Sequence, residues 1–278
     1  MSKQERYKFG RIDLPESELP TPDKLKDEID TLDDNFEMVR RREDDPVTGG
    51  ELEYREKART TYVGDSHGDL SFCHFYYVAD TENSIVVRNE DGEEEERNQP
   101  ELVRPRVFYF ENGMFAFESR QDLVEPWIPN FIGKLTDVDA LDNSRILPFS
   151  QDMMRDFYDS REKITVFKFS SPDGEDFEGD TELAGALNDL TDTVESQQFS
   201  GGNSGKNLKG NAIVDEAAET MHIDKLHGRR EDELTTNILA SGVYVAAWSE
   251  RDWSEPIETG TRAEAIFNRL SPQLRKLT

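Results

Sequence analysis

The sequence VRPRVFYFENGMFAFES, residues 103–119, contains two apolar runs separated by Asn112-Gly113. Asn-Gly readily adopts the positive φ angles of a two-residue type I′ turn, so the stretch predicts a β-hairpin. Cross-strand partners share a face, and this turn places four phenyl rings on one face. The predicted pairs are Phe110 with Phe115 and Phe108 with Phe117. Burial of each ring should stabilise the fold by about 1.5–3 kcal/mol, so we predict that the hairpin is part of the core.

The chain before the hairpin predicts one helix and several strands. Thr21 and Pro22 suit the N-cap and the first position of a helix. The apolar stripe of this helix consists of Leu25, Ile29, Leu32 and Phe36. Strands are predicted at residues 7–14, 51–63, 70–79 and 85–88, with a turn at 80–84 and a solvated loop at 90–99. We therefore predict an antiparallel meander of about five strands with the helix on one face.

The second half alternates helix and strand more regularly. Pro126 and Pro129 predict an irregular segment after the hairpin. The polar residues 136–143 suggest a boundary between domains 1–135 and 136–278. Helices are predicted at 150–158, 183–194, 233–239 and from 261 onward, and strands at 164–169 and 242–248. The predicted fold class is α+β, with an N-terminal antiparallel β-meander, its flanking helix and a C-terminal mixed α/β half.

The charge of the chain is strongly unbalanced. Its 278 residues include 60 Asp and Glu against 33 Lys and Arg, which gives a formal net charge of −27. Every complete block of ten residues contains an acid except 201–210. Self-repulsion strains a compact state in dilute buffer, but at about 1 M salt the Debye length falls to about 3 Å. We therefore predict a protein of a halophilic organism or its virus, with hydrated cations on its acidic surface. An acidic protein of a non-halophile and a mimic of DNA are the alternatives.

Cysteine content and hydropathy bear on the compartment. Cys73 is the only cysteine, which excludes an intramolecular disulfide and a cysteine-based zinc site. The first twenty residues lack the apolar core of a signal peptide, and no stretch approaches the roughly 18 apolar residues of a membrane span. We expect a cytoplasmic or virion-associated protein without membrane contact. No motif predicts a cofactor.

One short motif resembles a catalytic signature. Gly64-Asp65-Ser66-His67-Gly68 resembles the GDxHG signature of calcineurin-like metallophosphatases. The resemblance implies that Asp65 and His67 ligate one metal of a two-metal site, which polarises a phosphoryl group and generates hydroxide. The later elements of the family, a GDxxDR-like element and an asparagine–histidine element, are missing from this sequence. The other interpretation is a glycine–aspartate turn between strands. A metal-dependent phosphoester hydrolase is therefore the alternative function.

The second candidate is residues 196–214, SQQFSGGNSGKNLKGNAIV, which contain no acid. Glycine-rich loops can present backbone N–H groups to phosphate, but this segment lacks the first glycine and the final Ser/Thr of a GxxxxGK[ST] loop. The segment predicts either a mobile surface loop or a contact site for a polyanion or a partner. The candidate binding residues are Lys206 and Lys209, with Arg229 and Arg230 as an extension.

The remaining histidines do not predict a catalytic or metal site. His222 and His227 lie five residues apart, which is a poor spacing for one helical face. The sequence contains neither GxSxG nor GxGxxG. We therefore predict a non-catalytic binding or accessory protein that engages a protein or nucleic-acid partner through residues 196–214. High salt reduces the affinity gained from phosphate contacts, so a protein partner is at least as well supported as nucleic acid.

Overall fold

The computed structural model describes residues 3–32, 38–44, 50–65, 71–88, 94–119, 124–170, 196–202, 205–229 and 236–248, together with residues 266, 270 and 277. The chain forms two compact units. The N-terminal unit comprises Arg11–Arg145 and Pro256–Phe267, and the C-terminal unit comprises Met1–Gly10, Ile146–Glu255 and Asn268–Thr278. A division into independent domains at 1–135 and 136–278 stays a prediction.

The described residues form a mixed α and β fold rich in antiparallel strands. The strands are β1 (Lys3–Ile12), β2 (Met38–Asp44), β3 (Glu51–Asp65), β4 (Ser71–Arg88), β5 (Glu94–Val103), β6 (Arg106–Phe110), β7 (Met114–Glu118), β8 (Ser144–Ile146), β9 (Lys163–Ser170), β10 (Ser196–Ser200), β11 (His222–Arg229), β12 (Thr236–Leu239) and β13 (Val243–Trp248). The helices are α1 (Pro22–Thr31), α2 (Trp127–Thr136), α3 (Gln151–Ser160) and α4 (Ala212–Thr220). The predicted N-terminal meander is confirmed, and the C-terminal unit also contains antiparallel strand pairs.

The predicted hairpin is present as β6 and β7, but its predicted register is wrong by one residue. The observed pairs are Val107 with Phe117, Phe108 with Ala116 and Tyr109 with Phe115. The loop therefore has three residues, 111–113, and Gly113 adopts a φ of 78°, as glycine does in a hairpin loop that ends in a bulge. A slip of one residue turns one strand over. The phenylalanines of β6 consequently lie on the face opposite those of β7, and all four are buried.

The strand β4 is longer than the sequence predicts. It continues without a turn through residues 80–84, and its second half pairs with β5 from Ala79 opposite Val103 to Arg88 opposite Glu94. The predicted turn at 80–84 is therefore wrong, and so is a separate strand at 85–88, since these residues are the end of β4. The predicted loop at 90–99 is wrong from Glu94 onward, because that acidic stretch belongs to β5. Backbone pairing with β4 outweighs the low strand propensity of consecutive glutamates.

The N-terminal unit has the strand order β7-β6-β4-β3-β2, with α1 and α2 packed together. The first predicted helix is confirmed over Pro22–Thr31, where the Thr21 hydroxyl accepts a hydrogen bond from the Lys24 N–H. It is shorter than its predicted apolar stripe, because Leu32 is the C-cap with an extended backbone, and Phe36 lies outside the described residues. The irregular segment predicted around Pro126 and Pro129 is wrong, because α2 begins there. Pro126 is the N-cap and Pro129 lies in the first turn, where a backbone N–H has no intrahelical acceptor.

The C-terminal unit has the strand order β10-β9-β11-β12-β13-β1. The predicted helix after Ser150 and the strands at 164–169 and 242–248 are confirmed. The helix predicted at 233–239 is wrong from residue 236 onward, because Thr236–Leu239 form the strand β12. In the region predicted as the last helix, Ile266 of the N-terminal unit and Leu270 of the C-terminal unit are helical, and both are buried. The helix predicted at 183–194 lies outside the described residues.

The helix α3 covers one face of this second set of strands. The Tyr158 ring lies 5.8 Å from the Phe167 ring, and Phe157 packs close to Gly228 of β11. A Cβ at Gly228 would lie 2.7 Å from Cγ of Arg161, so glycine permits this close approach. Since side chains alternate along a strand, the residues that do not face α3 form the opposite face.

Candidate functional site

The outward-facing residues of β9 and β11 form a polar surface, which we call the basic face. Its members are Lys163, Thr165, Val166, Lys168 and Ser170 of β9, and His222, Asp224, Lys225, His227 and Arg229 of β11. The inward residues Ile164, Phe167 and Leu226 are fully buried. Register shifts at Thr165 and Asp224 mark bulges, which bring an extra residue of each strand to the surface.

The basic face carries four cations and a single carboxylate, in contrast to the acidic chain as a whole. The carboxylate, Asp224, accepts a hydrogen bond from the Ser170 hydroxyl at 3.0 Å and lies 3.9 Å from the Lys168 ammonium. Within the described residues, Lys163, Lys225 and Arg229 form no ion pair with a carboxylate. The positive charge of this surface is therefore largely uncompensated.

Two pairs of like charges lie directly opposite each other on this surface. Lys168 faces Lys225, and Lys163 faces Arg229. Like charges at directly opposed positions of an antiparallel pair destabilise the sheet. In a chain with 60 acidic residues, opposite charges would be the more stable choice at these positions. The opposed cations lower the stability of the sheet, so their presence favours a functional role for them.

A cavity of about 410 Å³ opens at one end of the basic face. Its walls include Lys163, Ser200, Gly202, Gly205, His227 and Arg229. An added Cβ at Gly205 would lie 3.9 Å from the Lys163 ammonium, so the glycine-rich loop runs close to that cation. The cavity thus combines two cations with a hydroxyl and exposed backbone, which are groups that bind carboxylates or phosphates.

The described part of the glycine-rich segment is fastened to β9. The Gly201 N–H donates to the Thr165 carbonyl at 2.8 Å, and the Leu208 N–H donates to the Ile164 carbonyl at 2.7 Å. The Asn207 side chain accepts from the Ile164 N–H at 2.9 Å. These bonds continue the pairing of β10 with β9, so residues 196–200 form a strand instead of the predicted loop.

The two lysines of this segment have different surroundings. The Lys209 ammonium donates to the carbonyls of Tyr158, Asp159 and Arg161 at 3.2, 2.8 and 3.0 Å, and so caps the C-terminal end of α3. This contact gives Lys209 a structural role. Lys206 is exposed and forms no ion pair with the described residues. A role in binding stays a prediction for both, and only Lys206 has its charge available.

Arg229 is exposed at the end of β11, on the basic face. Arg230, the other predicted extension of the site, lies outside the described residues. The three lysines of the basic face, Lys163, Lys168 and Lys225, were not among the predicted binding residues. The signal was present, because in KITVFKFS and HIDKLHGR cations occupy positions between apolar residues, as expected for strands with one buried face.

The two histidines share the basic face. The comparison of their five-residue spacing with a helical face is wrong, because both belong to the strand β11. The bulge at Asp224 brings the two histidines to the same side of that strand. His222 lies between the Gln151 amide, at 2.9 Å from Nε2, and Asp224, at 3.3 Å from Nδ1. Burial, reinforced by the charge of Lys225, lowers the pKa of His227 below its ordinary value. This shift favours the neutral imidazole, so the positive charge of the basic face comes mainly from its lysines and Arg229.

The phosphatase-like motif begins at the end of β3. Asp65 is the last residue of that strand, and His67 lies outside the described residues. Among the residues that the structure describes, no group of three or more His, Cys, Asp or Glu is placed to hold a metal ion. A phosphoester hydrolase that uses Asp65 and His67 stays a prediction.

Comparison with known proteins gives no assignment. No protein-family model matches the chain, and no curated protein matches it significantly. Within the described part of the chain, no helix has both the length and the apolar character needed to cross a membrane. The function of the chain is therefore inferred from the chemistry of its own surface.

Proposed function

We propose that this chain is a non-catalytic binding or accessory protein of a salt-adapted organism or its virus, and that it docks an acidic protein partner on the basic face. The proposal rests on one observation, namely that two pairs of cations lie directly opposite each other: Lys168 with Lys225, and Lys163 with Arg229. Selection for stability alone would remove one member of each pair. A partner that supplies carboxylates between them would offset the repulsion.

An acidic protein surface suits this face better than nucleic acid does. Binding of single-stranded nucleic acid in high salt needs aromatic platforms, because base stacking persists where phosphate contacts weaken. The described members of the basic face include no Phe, Tyr or Trp. At about 1 M salt the Debye length is about 3 Å, so only ion pairs in direct contact persist. Two opposed pairs of cations on a rigid sheet can make such contacts with carboxylates.

The proposal is tested with fluorescein-labelled polyglutamate as a defined surrogate for an acidic protein surface. Binding is followed by fluorescence anisotropy in about 2 M KCl, where long-range attraction is screened. We expect the triple variant Lys163→Glu, Lys225→Glu, Arg229→Glu to bind at least about tenfold more weakly than the native chain, a loss of roughly 1.4 kcal/mol. Equal binding by the native chain and this variant would overturn the proposal.

A matched control changes the same number of charges in the other unit. Lys26, Arg42 and Arg145 are partly exposed and lie in the N-terminal unit, in surface ion pairs with acids. Their triple substitution by glutamate alters the net charge equally and should leave polyglutamate binding within about twofold. A loss as large as that of the basic-face variant would mean that net charge, and not this surface, governs binding. A labelled DNA duplex in the same titrations reports whether nucleic acid is the better ligand.

A further inference from the structure

The N-terminal unit contains a second surface with uncompensated positive charge, which we call the β3–β4 groove. It is a cavity of about 450 Å³ beside β3 and β4. The lining residues that carry the argument are the cations Lys57, Arg59 and Arg104 and the apolar or aromatic residues Tyr76, Val78 and Leu102. None of these six belongs to the basic face.

The register of the strands fixes how the groove is built. Lys57 lies opposite Val78, and Arg59 lies opposite Tyr76. Each row across the groove therefore pairs a cation with an apolar or aromatic side chain. The two cations of β3 are two residues apart and so project from the same face about 6.6 Å from each other. Side chains i and i+2 of an extended peptide have the same spacing.

The cations of the groove are available for a ligand. Lys57, Arg59 and Arg104 form no ion pair with the carboxylates that the structure describes. By contrast, the neighbouring Arg55 lies 3.1 Å from a carboxylate oxygen of Glu53. Asp80 also lines the groove, and its carboxylate accepts a hydrogen bond from the backbone N–H of Arg55 at 2.9 Å.

The carboxylate beneath the groove is also occupied. Glu56 is only 1 % exposed, and its oxygens accept hydrogen bonds from the Tyr77 hydroxyl at 2.6 Å and the Lys134 ammonium at 2.7 Å. It therefore does not neutralise the cations at the surface. The groove offers three free cations to an anionic ligand.

The groove also exposes apolar surface. Leu102 is 50 % exposed, although it is a large apolar residue, and Val78 and Tyr76 are half-buried beside it. Burial of such an aliphatic side chain stabilises a complex and does not depend on charge screening. Concentrated sulfate-like salts even strengthen apolar burial. In a salt-adapted chain, this apolar surface can supply the affinity that ion pairs alone lose.

We propose that the β3–β4 groove binds an acidic peptide segment that carries large apolar side chains, in extended conformation. Its carboxylates pair with Lys57, Arg59 and Arg104, and its apolar side chains cover Leu102 and Val78. Charge complementarity selects the acidic residues, and the exposed leucine selects the apolar ones. This site is separate from the basic face, and neither proposal requires the other.

The test uses three fluorescein-labelled decapeptides in about 2 M KCl, followed by anisotropy, with the basic-face triple variant as the host chain so that glutamate does not bind at the basic face. The first contains glutamate, serine and two leucines; in the second glutamine replaces glutamate, and in the third serine replaces leucine. We expect only the first to bind measurably, with at least about tenfold weaker binding of the other two. Equal binding of all three, or no binding of the first, would overturn the proposal.

Two variants assign the binding to the groove. Arg59→Glu with Arg104→Glu changes exposed residues and should weaken the first peptide at least about tenfold without lowering the melting temperature. Leu102→Ser should weaken it separately, which distinguishes apolar contact from charge. Binding that persists in both variants contradicts the proposed site. Both substitutions are made in the basic-face triple variant, and Lys26→Glu with Arg42→Glu, which changes two cations outside the groove, is the matched control that should leave binding of the first peptide within about twofold.

Labelled oligo(dT) is titrated against the same variants. Tyr76 beside arginines could also stack with a base, as in proteins that bind single strands. If oligo(dT) binds the native chain more tightly than the first peptide and the groove variant abolishes this binding, the site is one for single-stranded nucleic acid and the peptide proposal is wrong. The two proposals can fail separately. If the polyglutamate experiment fails and the decapeptide experiment succeeds, only the basic-face proposal is refuted, and the reverse outcome refutes only the groove proposal.

Discussion

At the scale of single residues, neighbouring lysines of one loop differ in what their charge does. The Lys209 ammonium group donates hydrogen bonds to three backbone carbonyls at the end of α3, whereas Lys206 is exposed. The sequence could not distinguish them, because both follow the same glycine- and asparagine-rich pattern. The difference arises from a contact between Lys209 and a helix about fifty positions earlier in the chain.

Substitution of Lys209 should destabilise the C-terminal unit. Lys209→Met leaves the last carbonyls of α3 without their charged donor, so we expect a loss of about 1–3 kcal/mol in the free energy of unfolding. Lys206→Met, the matched control, should change it by less than about 0.5 kcal/mol. Thermal unfolding in concentrated KCl measures both. Equal effects of the two substitutions would show that the cap is energetically unimportant.

The opposed cations of the basic face make an unusual prediction about Arg229. Arg229→Glu replaces repulsion of Lys163 by attraction, so the isolated protein should become more stable by about 0.2–1 kcal/mol. The same substitution should weaken polyglutamate binding. Chemical unfolding and anisotropy on the same sample test the two expectations together. A variant that is less stable than the native chain would mean that Arg229 has a structural role.

At the scale of elements, the hairpin of β6 and β7 shows what the pattern of residues can and cannot fix. The apolar runs and Asn112-Gly113 predict two strands and a reversal, and both are present. The pattern does not fix the register, because both faces of the hairpin are buried and either register hides aromatic rings. The loop conformation decides, since a type I′ turn needs a positive φ at both Asn112 and Gly113, and of the two only Gly113 has one.

A substitution at this glycine tests the observed loop. In Gly113→Ala the new Cβ would lie 2.7 Å from the Ile12 carbonyl oxygen, and the positive φ adds backbone strain. We expect a loss of more than about 2 kcal/mol in the free energy of unfolding. Gly210 also has a positive φ, of 87°, but open space around its Cβ position. Gly210→Ala should therefore cost only about 1–2 kcal/mol, and an equal cost at both sites would contradict the packing described for Gly113.

Helix predictions succeed where a cap and an apolar stripe agree, as in α1 and α3. They fail where the local preference conflicts with pairing across the sheet. Residues 236–239 are predicted as helix but form β12, between β11 and β13. Similarly, the polar residues 94–99, which begin with three glutamates, form a strand because β4 offers them hydrogen-bonding partners. Such pairings join segments distant in sequence, so a local pattern carries little information about them.

The candidate site was predicted in part. Residues 196–214 were singled out because they lack acids, and their described part borders the cavity of the basic face. The lysines of β9 were not singled out, since a cation between apolar residues is a common feature of strands. Their significance depends on which residues lie opposite them on β11, and only the register supplies that information.

At the scale of the whole molecule, the account makes a prediction about salt. If the net charge of −27 reflects adaptation to concentrated salt, screening should stabilise the folded state strongly. We expect the melting temperature to rise by more than about 10 °C between about 0.1 M and 3 M KCl. Differential scanning calorimetry measures this change. A melting temperature that is the same at both concentrations would contradict the halophilic interpretation.

The central claim is that the basic face is a docking surface, and lysine footprinting tests it most directly. The native chain is acetylated with and without polyglutamate in about 2 M KCl, and modified lysines are quantified by mass spectrometry. The account predicts strong protection of Lys163, Lys168 and Lys225, with Lys24 and Lys26 of the N-terminal unit modified equally in both samples. Uniform protection of all lysines, or none on β9 and β11, would contradict it.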